Sequence, residues 1–156
     1  MIQFEGTVVF ESPAVRISPR TVRDEFLASA LFSLSKPLNQ NAPWSRYSFQ
    51  PVTALGEQFA ADICFSSGVI WSLSLCSMRP EFGGSWNEVS AANEHARHCF
   101  HKGLLQDIFG RPPDNHVSWG PDKRDEDISF RFPWGEVSAS TDFKGYSCGI
   151  LIKYGS

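Results

Sequence analysis

Three histidines, His95, His98 and His101, recur at three-residue spacing, with Glu94 and Cys99 among them. Imidazoles, a carboxylate and a thiol are metal-binding groups, so a metal site is the first chemistry to weigh. Helical geometry argues against it. His95 and His101 stand about 120° apart and more than a turn from each other, which makes three-point ligation awkward. A wheel with Val89, Ala92, Ala96, Cys99, Phe100 and Gly103 as its inward stripe turns all three imidazoles to solvent. The expectation is no metal and no cofactor.

Other catalytic signals are missing. The chain contains no HExxH, no P-loop and no dinucleotide fingerprint. Ser66-Ser67-Gly68 is a turn and not a nucleophile elbow, since GxSxG is absent. Glu57 and Asp62 are isolated acids, and no nucleophile has a base at hand. The chain does not read as an enzyme. Binding fits better. Asp125-Glu126-Asp127 is an acidic run beside Lys123-Arg124, and Trp44 and Trp119 fall in expected loops. An interface built from an exposed aromatic with acids around it would use Trp119, Asp122, Asp125, Glu126 and Asp127, with Asp142 and Phe143 at a hairpin tip.

Composition narrows the class. At 156 residues the chain reads as one domain, 1–156, large enough to bury a core. Its 42% hydrophobic and 13% aromatic content is globular rather than disordered. A net charge of −3 leaves no electrostatic footprint for nucleic acid. No apolar run reaches a membrane span, and no basic stretch leads into an apolar one at the N-terminus. A cytoplasmic protein is expected. Cys64, Cys76, Cys99 and Cys148 form no CxxC and read as buried free thiols.

The elements that would carry these groups can be read in order. Ile2 to Phe10 alternates as a strand, which Val15 and Ile17 continue past Pro13. Thr21 caps a helix, with Asp24 closing its capping box and Val22, Phe26, Ala30 and Leu34 as its buried stripe. Tyr47 to Val52 is a short strand. Gln58 to Met78 is a hairpin whose three-residue loop, Ser66-Ser67-Gly68, sets Ile63 opposite Trp71 and Phe59 opposite Leu75. Ser85, boxed by Glu88, caps a long helix that ends at Gly110. Asp114 to Asp127 is a polar connector. Ile128 to Tyr154 is a last hairpin around Asp142-Phe143-Lys144-Gly145. In it Ala139 faces Cys148 and Val137 faces Ile150, with a bulge at Gly135-Glu136. The sum is an α+β two-layer sandwich: an antiparallel sheet of about six strands with two helices packed on one face.

Two segments carry a resemblance. One is Phe132-Pro133-Trp134-Gly135-Glu136-Val137-Ser138, with Asp142, Lys144, Gly145, Ile150, Ile152 and Tyr154. The other is Ile17-Ser18-Pro19, with Thr21, Asp24-Glu25-Phe26-Leu27 and Ser29. Together, over about a third of the chain, they resemble small bacterial proteins that include immunity proteins of polymorphic or contact-dependent toxin systems. The resemblance implies a cytoplasmic protein that neutralises a cognate toxin by covering its surface. It brings no functional residues with it. The competing reading is a small-ligand-binding or enzymatic domain with its pocket between sheet and helices. A homodimer through an edge strand is a third.

Overall fold

The computed structural model describes residues 2–83, 90–119, 125–142 and 147–155. Val8–Glu11 (β1) and Ala14–Ile17 (β2) pair as a two-stranded sheet, so the long first strand is a hairpin turned at Ser12-Pro13. Arg23–Leu27 (α1) and Ala30–Ser33 (α2) replace the single expected helix. Thr21 is not its cap: its Oγ1 accepts the Ser18 N–H at 2.9 Å. Val22 takes the cap position, and Glu25 rather than Asp24 accepts the cap N–H, at 3.2 Å. The helix breaks where Ser29 Oγ donates to Phe26 O at 2.7 Å. The break moves the inward residues to Phe26 and Leu31, leaving Val22, Ala30 and Leu34 exposed.

The main sheet has eight antiparallel strands, not six. Its strands are Ser35–Pro37 (β3), Trp44–Ala54 (β4), Glu57–Ser66 (β5), Val69–Ser77 (β6), Asn115–Trp119 (β7), Asp125–Phe132 (β8), Gly135–Asp142 (β9) and Ser147–Tyr154 (β10). Their spatial order is β3-β4-β5-β6-β10-β9-β8-β7. Two strands, β3 and β7, come from stretches that read as helix end and polar connector. Pro80–Phe82 forms a 3-10 turn, and Ala91–Phe109 (α3) is the long helix.

Registers differ from expectation in informative ways. The β5–β6 loop has two residues, Ser67 and Gly68, both with positive φ as a tight hairpin needs. A bulge restores the phase instead, since Phe65 pairs with Ile70 but Cys64 pairs with Ser72. Trp71 is the extra residue and stands outward, 49% exposed. Ile63 therefore faces Leu73, and Phe59 faces Ser77.

At the C-terminal end the expected bulge is a turn. Phe132 pairs with Gly135 across Pro133-Trp134, so one incoming strand is really β8 and β9. Ala139 faces Ile150 and Val137 faces Ile152, two residues from the expected register. Gly135 makes the turn possible: its φ is 152°, and a Cβ there would strike the carbonyl oxygen of Lys153. Of the expected tip, Phe143, Lys144 and Gly145 lie outside the described residues, as do the Ser85–Glu88 capping box and Val89.

The inner face of the sheet is one continuous apolar row. Tyr47, Ile63, Leu73, Ile152, Val137 and Phe130 follow one another strand by strand, all buried. Phe26 of α1 meets Tyr47, Phe49 and Phe65 with ring centroids 5.1 to 5.8 Å apart. Phe109 of α3 meets Phe130 at 4.8 Å.

Candidate functional site

The α3 helix faces the sheet with Glu94, His98, His101, Leu105 and Phe109, not with the expected small-residue stripe. His98 and His101 are buried, while Ala92, Ala96 and Cys99 are exposed. Its N-cap is Ser90, whose side chain accepts from the Asn93 N–H at 3.1 Å. The large apolar residues Leu105 and Phe109 fix the rotation, because burying them is worth more than burying alanines. Stepping back from them at helical spacing lands on His101, His98 and Glu94. That signal was in the sequence, and weighting the small residues obscured it.

These polar groups meet strand ends that have lost a neighbour. The ladder between β6 and β10 stops at Leu75 and Ile150, so Ser77 and Cys148, two places further in register, do not pair. His101 Nε2 accepts the Ser77 N–H at 3.1 Å, and Glu94 Oε2 accepts the Cys148 N–H at 3.2 Å. Glu94 is also ion-paired with Arg97, whose guanidinium reaches Phe82 O at 3.0 Å and Gly83 O at 3.2 Å. The helix thus closes the gap between the strands with side chains.

Cys148 Sγ lies 3.9 Å from His101 Nδ1, a spacing that invites comparison with a thiol–imidazole pair. Its electrostatics run the wrong way. Burial, reinforced by the Glu94 carboxylate, pushes the thiol well above its usual range. Burial first, then the charges of His98 and Arg97, press the His101 imidazole down to about 3. A protonated thiol beside an enclosed neutral acceptor is packing and not an activated nucleophile.

The acidic set is only partly brought together. Trp119 ends β7, and its Nε1 donates to Asp127 Oδ1 at 3.0 Å. Asp127 also contacts His98 Nε2 at 3.2 Å and accepts the Thr141 N–H at 3.4 Å. Burial would raise its carboxyl, but those hydrogen bonds outweigh burial and hold it below the ordinary carboxylate range. Glu126 pairs with His116 at 2.6 Å. Asp142 is exposed at the end of β9, Asp125 begins β8, and Asp122 and Phe143 lie outside the described residues. Glu126 and Asp127 are therefore committed to partners within the chain. Among the described residues no three His, Cys, Asp or Glu side chains are placed to hold a metal, and His95 stands apart with Nε2 3.6 Å from Cys99 Sγ. The expected burial of every thiol does not hold: Cys99 is exposed and only Cys148 is fully buried, though all four are free.

The outer face of the sheet holds a different arrangement, which the sequence reading missed. Its residues are short: Ser48, Ala60, Cys64, Ser72, Ser74 and Cys76. Two hollows of about 410 and 330 Å³ lie over them and share Asp62 and Ser74. Trp44 and Trp71 stand at one end, edge to face, with centroids 5.6 Å apart at 78°. Arg46 Nη2 meets Asp62 Oδ2 at 2.6 Å. Lys36 and Gln50 line the other end. By contrast, the hollow between α3 and the sheet, lined by Ile2, Val8, Phe59, Leu104 and Ile150 among others, holds only about 10 Å³. Among the described residues no helix is long and apolar enough to cross a membrane. Compared with protein families, with curated proteins and with solved structures, the chain has no match.

Proposed function

We propose that this chain is a protein-binding module of the immunity type, acting in the cytoplasm without a cofactor to neutralise a cognate bacterial toxin by covering its surface. One observation carries the reading. Val22, Phe32, Leu34, Leu38 and Val69 are large apolar side chains, 38% to 53% exposed, at the two ends of the α1–α2 segment, just past β3 and at the start of β6. The backbones at Val22 and Val69 pair in an isolated bridge, and Phe32 leans edge-on against Tyr47 and Phe26. These side chains are held in place by the core below them, which lowers the entropy lost on docking. Large apolar side chains left exposed are what a protein interface draws on.

We propose the contact at the β3 end; at the Trp119 end Asp127 and Glu126 already engage partners within the chain. The alternative of a ligand pocket between sheet and helices draws no support from a 10 Å³ apolar hollow. A homodimer is favoured by one feature, the β7 edge strand with Val117 61% exposed on it. Light scattering across a concentration series separates that reading.

If a large secreted protein with a C-terminal toxic domain is encoded directly upstream, the decisive experiment co-expresses this protein with that domain. Protected growth and co-purification are expected. Phe32→Asp with Leu38→Asp should abolish both while the fold survives. A wild-type protein that neither protects nor binds overturns the immunity reading.

A further inference from the structure

We propose that the outer-face trough is a saccharide-binding site that takes a short neutral oligosaccharide. The site lies on the sheet face and shares Leu34 with the proposed protein contact, but it does not depend on the protein-binding reading.

Shape comes first. The two hollows join through Asp62 and Ser74 into one trough along β5, from Ala60 to Cys64. At 3.3 Å per residue that run is roughly 13 Å long, room for two or three sugar rings end to end. Serine, alanine and cysteine keep the floor low and even. Trp44 and Trp71 raise a wall at one end, each about half exposed, 40% and 49%. Their edge-to-face setting leaves indole surface free against the trough, and the C–H face of a pyranose packs on such a surface.

Chemistry selects the ligand. Asp62 is an acceptor and Arg46 a fork of donors, side by side at 2.6 Å. Together they match neighbouring hydroxyls, each both donor and acceptor. Ser72, Ser74 and Gln50 add uncharged partners of the same kind. An anion finds little free positive charge, because Arg46 is already ion-paired with Asp62 where the hollows meet, which leaves Lys36 at the far end as the other cation of the lining. A peptide strand is disfavoured for another reason. The floor strands β4, β5 and β6 each pair with a neighbour on both sides, so they offer no free edge for strand addition. A strand laid across the face would bury its own N–H and C=O groups without partners. A sugar carries its polar groups as hydroxyls that serine, Asp62 and Arg46 can meet.

The test uses the full chain with five neutral trisaccharides: cellotriose, maltotriose, xylotriose, mannotriose and N-acetylated chitotriose. Tryptophan fluorescence and amide chemical shifts are followed up to roughly 10 mM sugar, the range where weak sites saturate. One sugar should give a saturable change, with shifts confined to β4, β5 and β6. Trp71→Ala and Asp62→Asn should each weaken it at least tenfold without lowering the melting temperature, Trp71 being a surface residue. No saturable change with any of the five overturns the proposal. So does sugar binding that both variants retain, or binding of poly-glutamate peptide in place of every sugar.

Discussion

His101 Nε2 accepts the backbone N–H of Ser77 at 3.1 Å, with the imidazole fully buried. This bond fastens α3 to β6 at the point where β10 has parted from it. It also demands a neutral ring, since a protonated Nε2 would present a second donor to a donor.

Acid should therefore loosen this protein early. Burial lowers the His101 value in the folded state from 6.5 to about 3. The unfolded chain then binds the extra proton first, so stability is complete above the unfolded value and falls as pH drops from about 6.5 toward 3. At 1.36 kcal/mol per unit the full loss is on the order of 5 kcal/mol. Urea denaturation at pH 7 and pH 4.5 should show the decline. Replacing His101 by Phe should flatten that slope, and should cost about 1–3 kcal/mol at pH 7 because the Ser77 N–H loses its acceptor. An unchanged slope in the variant would show that other groups carry it.

Glu94 offers a second handle on the same seam. Its carboxylate joins the Cys148 N–H to Arg97, both side chains of the ion pair being about one-tenth exposed. Glu94→Ala strands a guanidinium and an amide, and should cost roughly 3 kcal/mol. Glu94→Leu combined with Arg97→Met should cost less than Glu94→Ala alone, since no unpaired charge is left behind. A double-mutant cycle by chemical denaturation checks the order.

The turn between β8 and β9 has little tolerance. Gly135→Ala would hold a side chain at φ 152° and drive its Cβ into Lys153 O. The expected loss is roughly 3 kcal/mol or failure to fold, against a small effect for Gly103→Ala, which meets nothing within 4 Å. Melting temperatures of the two variants decide it.

Thiol titration should rank the cysteines by position. Cys99 is exposed and should react with a disulfide reagent in the native protein. Cys64 and Cys76 should follow more slowly, because burial raises both thiols. Cys148 should react only on unfolding. Early labelling of Cys148, located by mass spectrometry, would contradict the buried seam.

The sequence by itself determined the class of fold. Alternation in β5 and β10 and the stop at Gly110 are local signals, set by side-chain period and backbone sterics, and each stands where it was read, whereas the turn at Gly68 holds two residues and not three. What it could not determine was phase between strands. A bulge at Trp71 and a turn at Trp134 each shift pairing by a residue or two, and both resolve only when the whole inner row packs together. The rotation of α3 was decided the same way. Tertiary burial of Leu105 and Phe109 drew Glu94, His98 and His101 inward, where an open seam between β6 and β10 supplied amides to Glu94 and His101, and β8 supplied Glu126 O and Asp127 to His98. The outer trough is likewise a product of register, because residues as distant as Trp44, Asp62 and Trp71 share a surface only after the strands align.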